Sequence, residues 1–146
     1  MGLAMAKSFY AEGAKVAIIA RRQKPIDQAV GEIKSLSGRG SVLGVSCDVT
    51  DIASLKQMHA GVTDQFGGID ILVNNAGYIW HSAIHNMTDD QWDAMLDIHV
   101  SAQFRILRAY GKWLRANADR NSHIRKVVNI SSPMGLHGGA TQLAYS

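Results

Sequence analysis

Two apolar patterns alternate regularly along the chain, and this alternation limits the folds that it can adopt. Segments with apolar residues at helical spacing alternate with short continuous apolar runs, of which residues 15–20 (KVAIIA) are the clearest. A continuous run of this length, bounded by turn residues, is typical of a strand buried on both faces of a parallel sheet. The alternation therefore predicts an α/β fold built from strand–helix–strand units.

The predicted elements cover most of the chain. Helices are predicted at residues 1–12, 25–37, 51–66 and 89–116, and strands at residues 15–20, 41–46, 70–73 and 126–130. Gly13 is expected to end the first helix, Pro25 to begin the second and Thr88 to cap the last. Residues 121–123 predict a loop, and residues 133–146 predict a glycine-containing loop followed by the start of a helix. No repeat or linker divides the sequence, so we expect a single domain.

The composition excludes several classes of protein. About 47% of the 146 residues are apolar and 18% are charged, which is enough to bury a core and argues against disorder. The one cysteine excludes an intramolecular disulfide and a cysteine-based zinc site, and it fits a reducing, cytoplasmic compartment. The histidines lack a third ligand at metal-binding spacing, and no apolar run reaches the length of a membrane span, so we expect neither a metal nor a membrane partner.

Polar or small residues follow all of the predicted strands. In a doubly wound sheet, ligands bind outside the carboxyl ends of the strands. The residues at those ends are Ala20-Arg21-Arg22, Asp48-Val49, Asn74-Asn75-Ala76-Gly77 and Ser131-Ser132. Strand ends of this kind indicate a nucleotide-binding crevice.

These motifs resemble the cofactor-binding half of a short-chain dehydrogenase/reductase. The run Val128-Asn129-Ile130 leads into Ser131, and Tyr145 follows Ser132 by thirteen positions. Trp92 and Gln142 add similarity to 3-oxoacyl-acyl-carrier-protein reductases. The resemblance spans the chain and implies a Rossmann-like, doubly wound parallel sheet. It also implies hydride transfer between a nicotinamide cofactor and a small-molecule carbonyl or secondary alcohol, and a homo-oligomer when the protein is full length. A 3-oxoacyl thioester is the leading substrate, followed by a secondary alcohol or sugar oxidised in reverse.

The resemblance assigns catalytic roles to Ser132, Tyr145 and His99. Tyr145 would be the general acid/base, and Ser132 would hold the substrate oxygen beside it. A tyrosine with a pKa near about 10 needs nearby positive charge to do this, which the family supplies from the nicotinamide and from a lysine four residues later. His99 stands seven residues after Trp92, where the family usually has an asparagine that supports a water chain. The competing interpretations are a turn or cap hydroxyl for Ser132 and a packed helix histidine for His99.

The resemblance also assigns the cofactor contacts, which fall on Gly2, Asp48, Val49, Asn75, Ala76 and Gly77. Gly2 matches the last glycine of the family's nucleotide loop. Asp48 would accept a hydrogen bond from the adenine amino group, while the backbone of residues 75–77 would lie against the ribose. An alternative role for Asp48 is the N-cap of the helix that starts near Asp51.

The choice of cofactor depends on charge at the end of the first predicted strand. An acidic residue there would bind the ribose 2′-hydroxyl of NAD, whereas arginine accommodates the 2′-phosphate of NADP. Ala20 occupies the acidic position, and Arg21 and Arg22 follow it. The sequence therefore predicts NADP(H) rather than NAD(H), unless both arginines are simply solvated.

Compared with the family pattern, the domain is expected to be incomplete, lacking the first strand and the C-terminal strands. We therefore expect residues 1–146 to form a partial dinucleotide-binding domain that is unstable and inactive when made alone. The competing hypothesis is a catalytically inactive nucleotide-binding or interaction module. A basic stripe on the last helix would suit nucleic acid, but a solvated face explains it more simply, so no nucleic-acid partner is expected. The stripe consists of Arg105, Arg108, Lys112 and Arg115.

Overall fold

A computed structural model of the chain describes residues 1–117 and 124–146, so the predicted loop at residues 121–123 lies outside the described residues. The predicted alternation of helices and parallel strands is confirmed. In chain order the helices are α1 (Gly2–Ala11), α2 (Gln23–Lys34), α3 (Ile52–Phe66), α4 (Asp89–Leu96), α5 (Ala102–Asn117) and α6 (Met134–His137). The strands are β1 (Lys15–Ala20), β2 (Ser41–Ser46), β3 (Ile71–Asn74) and β4 (Lys126–Asn129). They form a β1–β2 pair and a β3–β4 pair.

The first compact unit, Met1–Ile69, is built around the β1–β2 pair. The two strands run in parallel from Lys15 opposite Ser41 to Ala20 opposite Ser46. Ala6 and Tyr10, one helical turn apart on α1, pack with Ile33 of α2 in the buried core. Both helices thus pack an apolar face against the sheet.

Helix α2 begins and ends earlier than predicted, at Gln23 rather than residue 25 and at Lys34 rather than residue 37. Pro25 lies inside the first turn, where a missing N–H removes no helical hydrogen bond. After the helix, the chain passes closely over Tyr10, and a Cβ built on Gly38 would lie 2.7 Å from Tyr10 Cε1. This close approach to the ring requires glycine at position 38.

The second compact unit, Asp70–Ser146, is built around the β3–β4 pair, with Ile71 opposite Lys126 and Asn74 opposite Asn129. Thr88 caps α4 as predicted, because its side chain accepts from Gln91 N while the Gln91 side chain accepts from Thr88 N.

The prediction of one uninterrupted helix over residues 89–116 is wrong. A π-helical turn, Asp97–Ser101, separates α4 from α5. Arg105 Nη1 pairs with Asp97 Oδ1 at 2.7 Å across this turn. Turns of this type insert one residue into the helical repeat and frequently occur at functional sites.

The segment that follows β4 contains the short helix α6, which the sequence analysis did not predict. Beyond α6 the chain forms turns, in which Tyr145 N and Ser146 N both donate to Gln142 O at 2.9 Å. Among the described residues, no helix is long and apolar enough to span a membrane.

Candidate functional site

The ends of β3 and β4 are joined by a pair of asparagine side chains. Asn74 is only 7% exposed, and its Nδ2 donates to Asn129 Oδ1 at 2.8 Å. Ile130 N continues the pairing by donating to Asn74 O at 2.9 Å. The segments starting at Asn75 and Ser131 therefore leave the sheet from adjacent points, as the strand-end motifs predict.

His99 lies in the π-helical turn and contacts two of the segments predicted to form the site. Its Nε2 is 2.7 Å from Tyr78 O, and because a carbonyl oxygen only accepts, Nε2 must carry the proton of this bond. The His99 ring also meets the Tyr145 ring edge to face, with centroids 5.0 Å apart at 78°. His99 is thus held from one side by a backbone carbonyl and lies directly against the predicted catalytic tyrosine.

Gly77 is required by this arrangement. A Cβ built on Gly77 would lie 2.5 Å from His99 Cε1 and 3.1 Å from His99 Nδ1, which is closer than atoms in a packed interior approach. The structure therefore brings together three residues that the sequence analysis assigned to the site: Gly77, His99 and Tyr145.

Ser132 lies in the turn that precedes α6. Its Oγ accepts a hydrogen bond from Met134 N at 3.2 Å, which is the contact expected of a turn hydroxyl. That bond uses one lone pair of the oxygen and leaves the O–H proton to be donated to another acceptor. The turn contact orients the hydroxyl without using its donor.

In the first unit, backbone and side-chain bonds hold the ends of β1 and β2 together. Cys47 N donates to Ala20 O at 2.8 Å, and Ser46 Oγ donates to Arg21 O at 3.0 Å. Arg21 therefore lies beside the strand end that leads into Asp48. Cys47 itself is buried, and burial raises the pKa of its thiol.

Asp48 is kept ionised by its own turn. Its Oδ1 accepts from Thr50 Oγ1 at 2.7 Å and from Thr50 N at 2.9 Å. These two bonds are the main reason why the pKa of Asp48 is lowered, and the positive charge of Arg21 contributes in the same direction. A carboxylate at this position can accept a hydrogen bond from an amino group of a ligand.

The alternative role of Asp48 as the cap of α3 is wrong. Asp51 is the N-cap residue, and its carboxylate accepts from Ser54 N at 2.8 Å and from Ala53 N at 3.3 Å. Asp48 contributes backbone atoms to this region: its N–H donates to Ser54 Oγ at 3.1 Å, and its carbonyl oxygen accepts from Asp51 N at 3.1 Å. The Asp48 carboxylate is therefore not occupied by the helix.

The other predicted cofactor residues are placed as follows. Arg21 and Arg22 are exposed, and neither forms an ion pair with another residue in the described ranges. Val49 is half-buried beside Asp48, and Gly2 is the half-buried first residue of α1. Two exposed guanidinium groups at the carboxyl end of β1 are suited to bind a phosphate group.

The basic stripe on α5 is partly engaged within the second unit. Arg105 pairs with Asp97, and the Arg108 guanidinium lies 4.9 Å above the Phe104 ring. The stripe therefore does not present four uncommitted cations to an acidic partner. No group of three or more metal-binding side chains occurs among residues 1–117 and 124–146.

Sequence reasoning missed two contributors to these sites. Thr50 follows Asp48 by two positions, and this spacing is the known signal of a side-chain-to-backbone turn. Tyr78 acts through its carbonyl oxygen, for which the sequence carries no signal.

Comparison with known proteins agrees with the strand-end motifs and their geometry. Residues 1–146 match the family described as short chain dehydrogenase. The chain belongs to this family.

The similarity of this short-chain dehydrogenase chain to individual relatives covers its whole length. It is 34% identical to a reductase of Mycobacterium tuberculosis named for a hydroxy-methyl-oxo-hexahydroindene-carboxyl-CoA substrate, over 100% of this chain and 54% of the relative. A crystal structure of a short-chain dehydrogenase from Mycobacterium smegmatis is 28% identical with a TM-score of 0.90, over 99% of this chain and 58% of the other. The L-sorbose reductase of Gluconobacter frateurii, solved with NADPH and L-sorbose, is 29% identical with a TM-score of 0.86. The match covers 99% of this chain and 52% of the reductase.

These values confirm the Rossmann-like fold class. They also show that the chain spans little more than half the length of the curated relative, at 54%.

Proposed function

We propose that the protein to which this chain belongs is an NADP(H)-dependent oxidoreductase. It would transfer a hydride between the nicotinamide and a carbonyl or secondary-alcohol carbon, with a 3-oxoacyl thioester as the leading substrate. The observation that carries this proposal is the contact of the Tyr145 ring with His99, at a centroid distance of 5.0 Å, beside the backbone of Gly77. This contact supports a role for Tyr145 at the strand end where the family binds its cofactor.

Tyr145 would move the proton. When a hydride reaches a carbonyl carbon, the oxygen gains negative charge, and a hydroxyl within hydrogen-bond distance can supply the proton it needs. Ser132 would donate its O–H to the same oxygen, because Oγ only accepts from Met134 N and its proton stays available. His99 would limit the orientation of the Tyr145 ring, because Tyr78 O restrains the imidazole.

The first unit offers a donor set that fits an NADP-type nucleotide. The Asp48 carboxylate, ionised because of Thr50, would accept from the adenine amino group. Arg21 and Arg22, which are exposed at the end of β1, would pair with the 2′-phosphate. In the same unit, backbone at Gly2 and Val49 would also contact the nucleotide. In the second unit, backbone at Asn75, Ala76 and Gly77 would contact the cofactor ribose. A bound nicotinamide would supply the hydride chemistry.

The cofactor assignment can be tested with the protein expressed from the complete reading frame in which this chain occurs. Arg21→Ala with Arg22→Ala should lower kcat/KM for NADPH by about ten- to hundredfold, the worth of a charge-assisted hydrogen bond, and change NADH little. Arg39→Ala is the matched control, because Arg39 is an exposed arginine that precedes β2 and so lies at the amino ends of the strands. A wild-type enzyme that prefers NADH would contradict the proposed cofactor.

The substrate class is supported by two relatives that are both named reductases, one for a carboxyl-CoA compound and one for L-sorbose. A panel containing a 3-oxoacyl thioester, a ketose and a simple ketone would test it through the loss of NADPH absorbance. We expect the highest kcat/KM with the thioester. A clear preference for the ketose would show that the substrate is a sugar, and the proposed hydride transfer would still hold.

The proposal includes a cytoplasmic homo-oligomer. Val100 and Phe104 lie four residues apart and are 59% and 58% exposed, so two neighbouring apolar side chains are available for a second copy to cover. We expect Phe104→Glu to reduce the oligomer mass in light scattering, whereas Lys112→Glu, farther along α5, should leave it unchanged. A monomeric wild-type protein would contradict this part of the proposal.

A further inference from the structure

Thr141 adopts a backbone conformation that its side chain disfavours. Its φ is 62°, and it is the one non-glycine residue with positive φ among residues 1–117 and 124–146. A β-branched side chain in this left-handed region is strained, and such strain persists only where the surrounding structure enforces it. Thr141 lies four residues before Tyr145, so the conformation it adopts determines how the chain enters the turn that carries the tyrosine.

Two neighbouring residues enforce the conformation of Thr141. Ser82 N donates to Thr141 O at 2.8 Å, and Ser82 forms an isolated parallel bridge with Gln142. His81 Nδ1 is 3.2 Å from Thr141 Oγ1, within hydrogen-bond distance. We name His81, Ser82 and Thr141 the Thr141 clamp. It connects the segment that follows β3 to the turn that precedes Tyr145.

Short hydrogen bonds within the turn connect the segment at Thr141 to Tyr145. Gln142 N donates to Gly139 O at 3.0 Å, and Tyr145 N donates to Gln142 O at 2.9 Å. A Cβ on Gly139 would lie 2.9 Å from Gln142 Oε1, so the Gln142 side chain packs against the turn itself. A change of backbone angle at Thr141 would therefore displace the turn as a unit and move Tyr145 away from His99.

We propose that Thr141 is a positioning residue for Tyr145, held in its left-handed conformation by His81 and Ser82. The inference rests on the proposed function in one respect, the assignment of proton transfer to Tyr145. The clamp orients the tyrosine hydroxyl and does not contact the reacting atoms. Since the reaction requires the hydroxyl within hydrogen-bond distance of the substrate oxygen, a small displacement of the turn lowers kcat strongly.

The test compares three substitutions in the protein expressed from the complete reading frame, with NADPH and a 3-oxoacyl thioester. Thr141→Val removes the hydroxyl and keeps the strain, so kcat should fall roughly 10–100-fold while the KM for NADPH is unchanged. Thr141→Asn tolerates the left-handed region and keeps a polar side chain, so it should retain kcat within about threefold. His81→Ala leaves the backbone bond of Ser82 intact and should give an intermediate loss of kcat.

Thr63→Val is the matched control, because the Thr63 hydroxyl bonds to its own helix, to His59 O at 2.8 Å and to Ala60 O at 3.0 Å. It should leave kcat unchanged. If Thr141→Val retains wild-type kcat, or if Thr141→Asn loses as much as Thr141→Val, the positioning role is refuted. If Thr141→Val fails to fold, His81→Ala replaces it as the test, because His81 is exposed. A wild-type kcat in His81→Ala would also refute the positioning role of the clamp.

Hydrogen exchange separates this inference from the proposed function. Amides of residues 139–146 should exchange faster in Thr141→Val than in wild type, and Thr141→Asn should restore their protection. If Tyr145→Phe keeps full activity, the proposed function is wrong. Hydrogen exchange then remains as the test of whether the clamp holds the turn at residues 139–146. Unchanged exchange in Thr141→Val would then overturn it.

Discussion

Replacing Gly77 with alanine should displace His99 and weaken the site. The added Cβ would lie 2.5 Å from His99 Cε1, so one of the two groups must move. The imidazole is restrained by its bond to Tyr78 O at 2.7 Å and by the Tyr145 ring. Overpacking of this kind costs about 1–3 kcal/mol, and losing the His99 hydrogen bond adds about 0.5–1.5 kcal/mol. We expect Gly77→Ala to lower the free energy of unfolding by about 2–4 kcal/mol.

The assay is chemical denaturation of the protein expressed from the complete reading frame, in a double-mutant cycle with His99→Ala. Removing the imidazole should remove the clash, so Gly77→Ala should cost at least about 1 kcal/mol less in the His99→Ala background. Gly111→Ala in α5 is the control, because no heavy atom outside its local backbone lies within 4 Å of its built Cβ. That variant should gain about 1 kcal/mol from helix propensity. An equal cost of Gly77→Ala with and without His99 would show that the imidazole does not restrict position 77.

Three further predictions concern the first unit. Thr50→Val should raise the pKa of Asp48 in an NMR titration, because the bonds from Thr50 are the main cause of its depression. Because the pKa of Asp48 is lower in the folded than in the unfolded protein, its ionised carboxylate stabilises the fold above the unfolded pKa. This stabilisation is lost as the pH falls through the folded pKa. The variant should therefore lose this stabilisation, and its affinity for NADPH, at a higher pH than wild type. Cys47 should react with a thiol reagent at neutral pH much more slowly than in the denatured protein, because burial raises its pKa; equal rates would contradict this. Asp51→Ala should lower the free energy of unfolding by about 0.5–2 kcal/mol through loss of the α3 cap, and a matched Asp64→Ala inside the same helix should change it little.

The fold was largely predictable because its signals are local. The apolar run at Lys15–Ala20 and the helical pattern over residues 1–12 identify elements that the structure confirms. The π-helical turn at Asp97–Ser101 was not predictable, because no local sequence pattern marks the insertion of one residue into a helical repeat. The early start of α2 illustrates a smaller difference, since Pro25 is compatible with several positions in a first turn.

The sequence identifies candidate residues of the site, but it does not show how they contact one another. Motif resemblance pointed to Gly77, His99 and Tyr145 separately, and the structure supplies the contacts that join them. The strain at Thr141 could not be foreseen, since threonine carries no preference for a positive φ and the conformation is enforced by residues about sixty positions away. Long-range contacts of this kind have no counterpart in local sequence patterns.

The role of Tyr145 in proton transfer can be measured as the rate of hydride transfer in a single turnover. Wild type, Tyr145→Phe and the control Tyr10→Phe would be mixed with NADPH and a 3-oxoacyl thioester, and the loss of NADPH absorbance followed. Tyr10 is a buried core residue of the first unit, so its variant controls for loss of a tyrosine hydroxyl elsewhere. We predict that Tyr145→Phe slows the transfer by about 10²–10⁴-fold with unchanged NADPH affinity, while Tyr10→Phe does not. A Tyr145→Phe rate within about twofold of wild type would contradict the account.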